Sequence, residues 1–562
     1  GGGAVEYSIA LRRHWWFDAG IAGLYSISKS RDDRLLEFDV EVKVDSDNQA
    51  LTFEGKDTDT LRAYFETCYE ILAERYWNVS TIKQKENPKL VVYDKEKDEI
   101  MLMPKRNPTP VVSLFIGPRS WQGEGIPYGD ITEPLKSRVD EFLEKTRAKL
   151  WGSKKLLLLS QPVCHQKLTI LPEEKKKGKT EVCCVCGKHS LYMIEVGLPS
   201  FLLFASSNAT KSFNSQGKNP AKLCWECEFI SKFAIESASY KRTNDSIFVI
   251  QVTSPDIDKL IEMQKEFGSL SELRMLDDKY FYANIGLEED SLIKKCSAPY
   301  ELLWAFMEEK YSLLLKESSE GEETFDDVSA DNFFFEFIEK LSKMPVQIYV
   351  LYATDSGQTF LTKNLVLYDE LGYFYRLIHH MKKSGVNTRK LFSSLYEEKY
   401  DFREKILRNV LRKNSILRHI EQFAFRMVMR DQRISMGNIL KFTIEYEQII
   451  RGDEMNKEQI ETAVNLGKQI VIQAVETARA ENENEKQALK KIKGDLYQLR
   501  KSRTKTDFIN QLNNLQFRYG IAVSKNILDG ILEEVDFEDF RAYCVLGALN
   551  VYNAKNNKDK ED

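Results

Sequence analysis

The chain lacks the patterns that mark membrane-spanning and exported proteins. Its 562 residues contain no run of about 18 uncharged apolar residues, the length that a transmembrane helix needs. Residues 1–4 lack methionine and are typical of an added expression scar, and no signal peptide follows them, because Arg12 and Asp18 interrupt the apolar residues. We therefore expect a reducing compartment and no membrane contact. In such a compartment the nine cysteines serve as thiols or metal ligands rather than disulfides.

The sequence also lacks the short motifs of common enzyme classes. It has no GxxxxGK[ST] phosphate loop, no HExxH motif, no GxSxG nucleophile turn and only six histidines. Acidic residues are plentiful but show no recognisable catalytic spacing. We therefore predict a protein that is not an enzyme. The alternative that stays open is a metal-dependent nuclease whose carboxylates come from distant segments.

Two pairs of cysteines give the most specific signal that is present. Cys183 and Cys186 form one CxxC pair, Cys224 and Cys227 form another, and 37 residues separate them. Four thiolates are the donor set of structural zinc sites, which leave no coordination position open for chemistry. The pattern predicts a structural zinc ion on these four residues. The alternatives are thiols without metal, a register that uses Cys184, or replacement by one of three other donors: Cys164, His165 and His189.

Two polar loops are candidates for contact with nucleic acid. The loop between the cysteine pairs is rich in amides and cations, which donate to phosphates and base edges, and its candidate residues are Lys211, Asn214, Gln216, Lys218 and Asn219. A glycine-rich loop over 117–129 carries a second set, a possible wedge or groove probe formed by Arg119, Trp121 and Gln122. Flexible surface loops without a ligand are the alternative for both.

Hydrophobic periodicity predicts an α+β chain with a helical end. Alternation over 36–44 predicts a strand, 60–76 a helix, 89–103 a hairpin, and 247–252 and 346–352 buried strands. After about residue 397 a helical period dominates, which indicates a bundle. The predicted fold is an N-terminal mixed α/β region, an inserted four-cysteine zinc-ribbon-like module and a C-terminal all-helical bundle. The corresponding domains are 1–160, 161–240, 241–425 and 426–562.

Positive charge is concentrated although the whole chain has a net charge of −5. Residues 376–433 hold 15 Lys and Arg against 6 Asp and Glu, and residues 486–505 hold 8 against 1. Concentrated cations favour contact with phosphates, and a solvated helical face is the alternative. The second run supplies the candidate contacts to a DNA backbone, which are Lys490, Lys491, Lys493, Arg500, Lys501 and Arg503.

The assembled pattern resembles the large subunits of type I-B CRISPR Cascade, an RNA-guided DNA surveillance complex. The resemblance rests on the opening segment HWWFDAGIAGL at 14–24, on the paired CxxC insertion and on the helical end, in that order. It covers the chain in outline, but the residues that read a DNA motif in this family match no short signature here.

The resemblance implies a non-catalytic subunit of a cytoplasmic prokaryotic antiviral complex. Such a subunit binds the CRISPR RNA and the backbone subunits of Cascade, and recognises the protospacer-adjacent motif in target double-stranded DNA. It helps to open the duplex, stabilises the R-loop and recruits a separate helicase-nuclease, while RNA pairing reads the rest of the target.

The helical end resembles the small subunit of such complexes, which related systems also make from an internal start codon. Candidate starts are Met427, Met429, Met436 and Met455. The alternative from another class is a zinc-ribbon scaffold of a different RNA–protein assembly.

Overall fold

A computed structural model shows two compact units, Gly1–Lys295 with Glu322–Leu371, and Cys296–Gly321 with Gly372–Asp562. The boundaries of the four predicted domains differ from those of the two units and stay a prediction. The structure describes residues 3–115, 121–173, 177–197, 200–201, 221–266, 285–286, 289–319, 332, 334–336, 338–339, 346–355 and 360–557.

The first unit contains the described strands. They are β1 (Val5–Ala10), β2 (Glu41–Asp45), β3 (Ala50–Gly55), β4 (Leu90–Asp94), β5 (Glu99–Met103), β6 (Gly125–Pro127), β7 (Leu156–Leu158), β8 (Glu181–Val182), β9 (His189–Ser190), β10 (Met193–Glu195), β11 (Lys222–Cys224), β12 (Ser239–Arg242), β13 (Ser246–Thr253), β14 (Gln347–Asp355) and β15 (Phe360–Tyr368). Its α-helices are α1 (Trp15–Ser28), α2 (Asp33–Leu36), α3 (Thr58–Tyr76), α4 (Ile82–Glu86), α5 (Leu135–Thr146), α6 (Trp225–Ser237) and α7 (Ile257–Glu266).

The described strands form three larger sheets and two short antiparallel pairs, β8-β9 and β10-β11. The antiparallel sheets have the orders β1-β3-β2 and β12-β13-β14-β15, and the third sheet has the order β5-β4-β7-β6 with β4 and β7 parallel. The hairpin predicted over 89–103 is confirmed, with Leu90 opposite Met103. The two predicted buried strands are also confirmed and pair as β13 and β14.

Two separate hydrophobic clusters can be described in the first unit from the residues that the structure describes. The main core joins α1, α3 and α6 to the sheets on either side of them, and it includes three of the four paired cysteines. A smaller core, around Val91, Ile131, Val139 and Leu157, lies between α5 and the sheet of β4 to β7. The small core defines a subdomain, residues 90–158, that we call the α5 subdomain.

The strand predicted over 36–44 is only partly right. Residues 33–36 form the short helix α2, and the strand begins at Glu41. Asp32 explains the difference, because its carboxylate accepts the Arg34 backbone N–H at 3.0 Å and so caps a helical turn. Leu36, which the alternation placed on the buried face, is 70% exposed.

The second unit is helical in its described part. Its α-helices are α8 (Pro299–Ser319), α9 (Leu371–Lys383), α10 (Thr388–Ser394), α11 (Phe402–Leu411), α12 (Leu417–Met429), α13 (Met436–Arg451), α14 (Lys457–Ala480), α15 (Glu485–Lys501), α16 (Lys505–Tyr519), α17 (Leu532–Glu534) and α18 (Phe537–Asn557). This confirms the predicted helical end, and the breaks predicted near 451–453 and 502–506 separate α13 from α14 and α15 from α16.

Carboxylates from one helix cap the start of another in this unit. Glu404 of α11 accepts the backbone N–H groups of Tyr300 and Glu301 at 3.0 and 2.8 Å, at the first turn of α8. Glu447 of α13 does the same for Ile416 and Leu417 at the start of α12, at 2.7 and 3.0 Å. These bonds satisfy N–H groups that a helix leaves without an internal partner. They tie pairs of helices together through polar contacts as well as through apolar packing.

No helix in the described ranges combines the length and apolar character needed to cross a bilayer.

Candidate metal centre

The first cysteine pair lies on the turn of a short hairpin. Strands β8 and β9 pair, and between them the Cys183 N–H donates to the Lys188 carbonyl at 2.9 Å. The Gly187 N–H donates to the Cys183 carbonyl at 3.0 Å, and Gly187 has a φ of +73°. A side chain at that φ is strained, which explains why a glycine follows the second cysteine of this pair. The turn holds Cys183 and Cys186 on the same side.

The second pair lies on a helix rather than on a second turn. Cys224 ends β11 and is the N-cap of α6, where its Sγ accepts the Cys227 N–H at 3.4 Å. Cys227 therefore sits in the first helical turn, which needs no glycine after it. This accounts for the absence of a glycine after the second CxxC. The Cys184 N–H donates to the Lys222 carbonyl at 2.9 Å and joins the two halves of the centre.

The fold brings the four predicted sulfur atoms together. The Sγ atoms of the four cysteines all lie within 4.8 Å of one another, and those of Cys186 and Cys224 are 3.7 Å apart. A tetrahedral zinc site with Zn–S bonds of about 2.3 Å needs sulfur atoms about 3.8 Å apart. The arrangement therefore fits a four-coordinate ion, and these four residues can hold a metal.

The other candidate donors do not join this cluster. Cys184 is exposed, and His189 is exposed on β9. The Cys164 thiol lies 3.6 Å from the Arg106 carbonyl, and His165 Nδ1 lies 2.8 Å from the Asn78 amide. Among the described residues, the four cysteines are the group whose ligand atoms lie close enough together to hold a metal ion.

A buried charge network that the sequence did not indicate surrounds the cluster. Arg12 Nε donates to Cys227 Sγ at 3.3 Å, and the Arg12 guanidinium also pairs with the buried Glu226. Glu226 further accepts a hydrogen bond from Tyr7 and pairs with Lys188 at 3.2 Å. Arg12 thus contacts a sulfur that would carry negative charge in a metal-bound centre, and Lys188 joins the network through Glu226. Such outer partners orient metal ligands.

The four thiols lie close enough together for the ionisation of one to change the pKa of the others. Hydrogen bonds from Cys186, Cys224 and Cys227 lower the pKa of Cys183, whereas hydrogen bonds to the other three sulfurs raise the pKa of Cys227. Four negative sulfurs at this distance repel one another, so a cation that binds all four must displace the remaining protons. Metal binding at this centre should therefore release protons.

The opening segment of the chain packs against the helix that carries two of the ligands. Helix α1 crosses α6 at Gly20 and Gly23, where an added Cβ would lie 1.9 Å from the carbonyl oxygens of Ile230 and Phe233. Such close backbone contact is open only to glycine. Asp18 is buried beside this crossing and accepts the Arg12 N–H at 2.6 Å, and burial raises the pKa of its carboxyl to about 6.

The structure locates only part of the predicted nucleic-acid contacts. The five candidates of the polar loop, Lys211, Asn214, Gln216, Lys218 and Asn219, lie outside the described residues, as does Arg119. Trp121 is 41% exposed, donates from its indole N–H to the Arg106 carbonyl at 3.1 Å, and lies under the Lys105 ammonium. Gln122 pairs with Val163 through the backbone and has an exposed side chain.

The six candidates on the helical unit divide into two groups. Lys491 pairs with Glu483, Lys493 with Asp431, and Arg500 with Glu421. The others are exposed and have no ion pair with a described residue: Lys490, Lys501 and Arg503.

Comparison of the chain with protein-family models and with curated proteins finds no match to either.

Proposed function

We propose that this chain is the non-catalytic large subunit of a type I-B CRISPR Cascade. In this role it binds guide RNA and backbone subunits, recognises a short motif in duplex DNA, helps to unwind the duplex and stabilises the R-loop. A separate helicase-nuclease then cuts the DNA. The expected place of the chain is the prokaryotic cytoplasm.

One observation carries the proposal. Two of the three features on which the resemblance rests, the opening segment and the second CxxC pair, are about 200 residues apart in sequence, yet they form one structural unit. Gly20 and Gly23 of the opening segment pack against α6, and α6 begins with Cys224 and Cys227. The pairing of these motifs therefore has a physical reason, since α1 and the metal-binding helix support each other.

We propose zinc as the metal of the four-cysteine centre. Four thiolates are soft donors in a number and arrangement that suit zinc, and they leave no position for a reacting water. The ion would be held by Cys183, Cys186, Cys224 and Cys227, and it would fix the hairpin to α6. That structural role agrees with a subunit that does no chemistry of its own.

Ion pairs with acidic side chains reduce the number of strong candidates for DNA contact on the helical unit. Lys490, Lys501 and Arg503 are the stronger candidates, because an exposed cation without an acidic partner is free to bind a phosphate. The paired cations Lys491, Lys493 and Arg500 must first leave a carboxylate. The residues proposed to contact the motif are those of the polar loop, and Arg119, Trp121 and Gln122 are proposed as the wedge or minor-groove probe.

A binding assay on the assembled complex tests the proposal. The complex is purified with a guide RNA of known sequence and offered a library of matching duplexes in which only the bases flanking the target vary. We expect a few flanking sequences to bind at least tenfold more tightly than the rest. Equal binding of all flanks would contradict motif recognition. Alanine at Lys211, Gln216 and Lys218 should flatten the preference if that loop reads the motif.

The same preparation distinguishes the two alternatives. Cleavage of DNA by the purified chain in the presence of a divalent cation, abolished by alanine at particular acids, would favour a nuclease. A complex that contains RNA but never binds duplex DNA would favour a zinc-containing scaffold of another assembly.

A further inference from the structure

We propose that residues 145–155 of the α5 subdomain form a binding surface for the phosphodiester backbone of nucleic acid. Five cations lie in this segment of eleven residues, which contains no acidic residue: Lys145, Arg147, Lys149, Lys154 and Lys155. All five side chains are exposed. We call this segment the 145–155 surface.

The local fold explains why these side chains face solvent. Helix α5 ends at Thr146, and Arg147 adopts a left-handed conformation with a φ of +55° that turns the chain out of the helix. Ala148 and Leu150 then pack against the small core, whereas Arg147 and Lys149 alternate with them and are exposed. This alternation is that of an extended strand, in which every second side chain shares a face.

A turn adds the remaining two lysines. Trp151 pairs through its backbone with Leu156, and Lys149 with Leu90 of β4. Between Trp151 and Leu156 the chain reverses at Gly152, which has a φ of +71°. Lys154 and Lys155 lie on this reversal. The backbone bridges fix the segment to the sheet, so the cations are displayed on an ordered support.

The side chains of the five cations make no polar contact that would stabilise the described part of the fold. None of the five has an ion pair, a side-chain hydrogen bond or a ring contact with a described residue. The longer basic run at 376–433 differs in this respect, since Arg403 pairs with Glu301 and Arg426 pairs with Glu397. A cation already held by a carboxylate adds little to phosphate binding, so the shorter segment offers more free charge than its length suggests.

The chemistry of the segment favours a hydrophilic polyanion. Its apolar residues Ala148 and Leu150 pack against the small core, Trp151 is half-buried, and the exposed residues are the five cations with Gly152 and Ser153. A bilayer surface would use fully exposed apolar side chains for insertion, and this segment has none.

This inference goes beyond the proposed function, because it needs only a nucleic-acid backbone and no guide complex. It also names a surface distinct from the polar loop and from the helical unit. RNA and DNA share the phosphate chemistry, and the experiment distinguishes them.

The test compares two triple variants of the full chain that remove equal charge. One is K149A/K154A/K155A on the 145–155 surface. The other is K56A/K83A/K85A, three exposed lysines elsewhere in the same unit that likewise have no ion pair with a described residue. Each protein is titrated with fluorescent 20-nucleotide single-stranded RNA, single-stranded DNA of the same sequence and the corresponding duplex, between 50 and 200 mM KCl. Thermal melting checks that both variants fold.

We expect the surface variant to bind at least one probe more weakly. The slope of log K against log salt should fall by about 2 for a single strand, since each lost phosphate contact contributes about 0.7. The matched variant should keep the slope of the unmodified chain, and K149R/K154R/K155R should restore it. The probe with the largest change identifies the source of the phosphates.

Equal slopes for both alanine variants on all three probes would overturn the inference, because bulk charge alone would then explain binding. Loss of binding to phosphatidylserine vesicles without any effect on the oligonucleotides would overturn it as well. The assay uses the isolated chain and unrelated sequences. Its failure would leave the proposed function standing, and absence of a guide RNA from the native complex would leave this inference standing.

Discussion

Replacement of Gly20 by alanine is a direct test of the packing between the opening segment and the metal-binding helix. In the structure an added Cβ would lie 1.9 Å from the Ile230 carbonyl oxygen, whereas ordinary contacts begin near 3.4 Å. Helices α1 and α6 would therefore have to separate by about 1.5 Å at this point. No side chain can rotate away, because the obstacle is backbone.

The size of the effect follows from two opposing terms. Forcing extra volume into a packed core costs about 1–3 kcal/mol, and a backbone contact belongs at the upper end. Alanine in place of a helical glycine gains about 1 kcal/mol. We expect G20A to lower the free energy of unfolding of the first unit by about 2 kcal/mol. Metal should also be released more readily, since α6 begins with two of the ligands.

The assay is urea unfolding followed by tryptophan fluorescence, to which the first unit contributes six of the seven tryptophans, together with metal release to a colorimetric chelator. The matched control is G494A in α15, where no atom lies within 4 Å of the added Cβ. That variant should become more stable by about 0.5–1 kcal/mol. A G20A protein that equals the unmodified chain in stability and metal retention would refute the close crossing of α1 and α6.

Three further predictions concern other parts of the chain. Elemental analysis should find about one zinc per chain in the unmodified protein and none in C227S. C184S should retain the metal, because Cys184 is outside the cluster. Burial raises the pKa of Glu404 from 4.5 to about 7. The contribution of this carboxyl group to the stability of the second unit is therefore full below about pH 4.5 and is lost as the pH rises through about 7. E404Q should flatten that part of the stability curve in denaturation titrations. If an internal start is used, mass spectrometry of the intact operon product should find a helical fragment that begins near Met436 or Met455, and a full-length chain without any fragment would contradict this prediction.

Much of the metal centre could be predicted from the sequence because metal binding imposes local spacing. Each CxxC pair places two sulfurs within one turn of backbone, whether that turn is a hairpin or the start of a helix. The spacing therefore identified the four cysteines that cluster, but it could not distinguish a hairpin turn from the first turn of α6. The missing glycine after Cys227 was the one available sign of this difference.

The surroundings of the centre could not be predicted in the same way. Arg12 and Cys227 are separated by 215 residues, and their contact exists only because β1 and α6 belong to one core. Glu226 lies between two ligands in sequence, yet nothing there indicates a buried ion pair. Contacts of this kind depend on tertiary packing, and a single sequence does not predict them.

Charge counts and hydrophobic periodicity also gave wrong or incomplete predictions at particular residues. Alternation placed Leu36 in a strand, but the local cap from Asp32 favours a helical turn at that point. Counts of Lys and Arg identified the run at 486–505, although the structure shows Lys491 and Arg500 paired with acids from other segments. The same count did not indicate the 145–155 surface, whose cations have no acidic partner among the described residues.

The measurement that tests the central claim most directly is purification of the tagged chain from a host that expresses its neighbouring genes, followed by sequencing of the bound RNA. The account predicts repeat-derived guide RNAs in the eluate, together with backbone subunits in fixed proportion to the chain. A chain that elutes alone and without RNA, from a host in which those genes are demonstrably expressed, would contradict it.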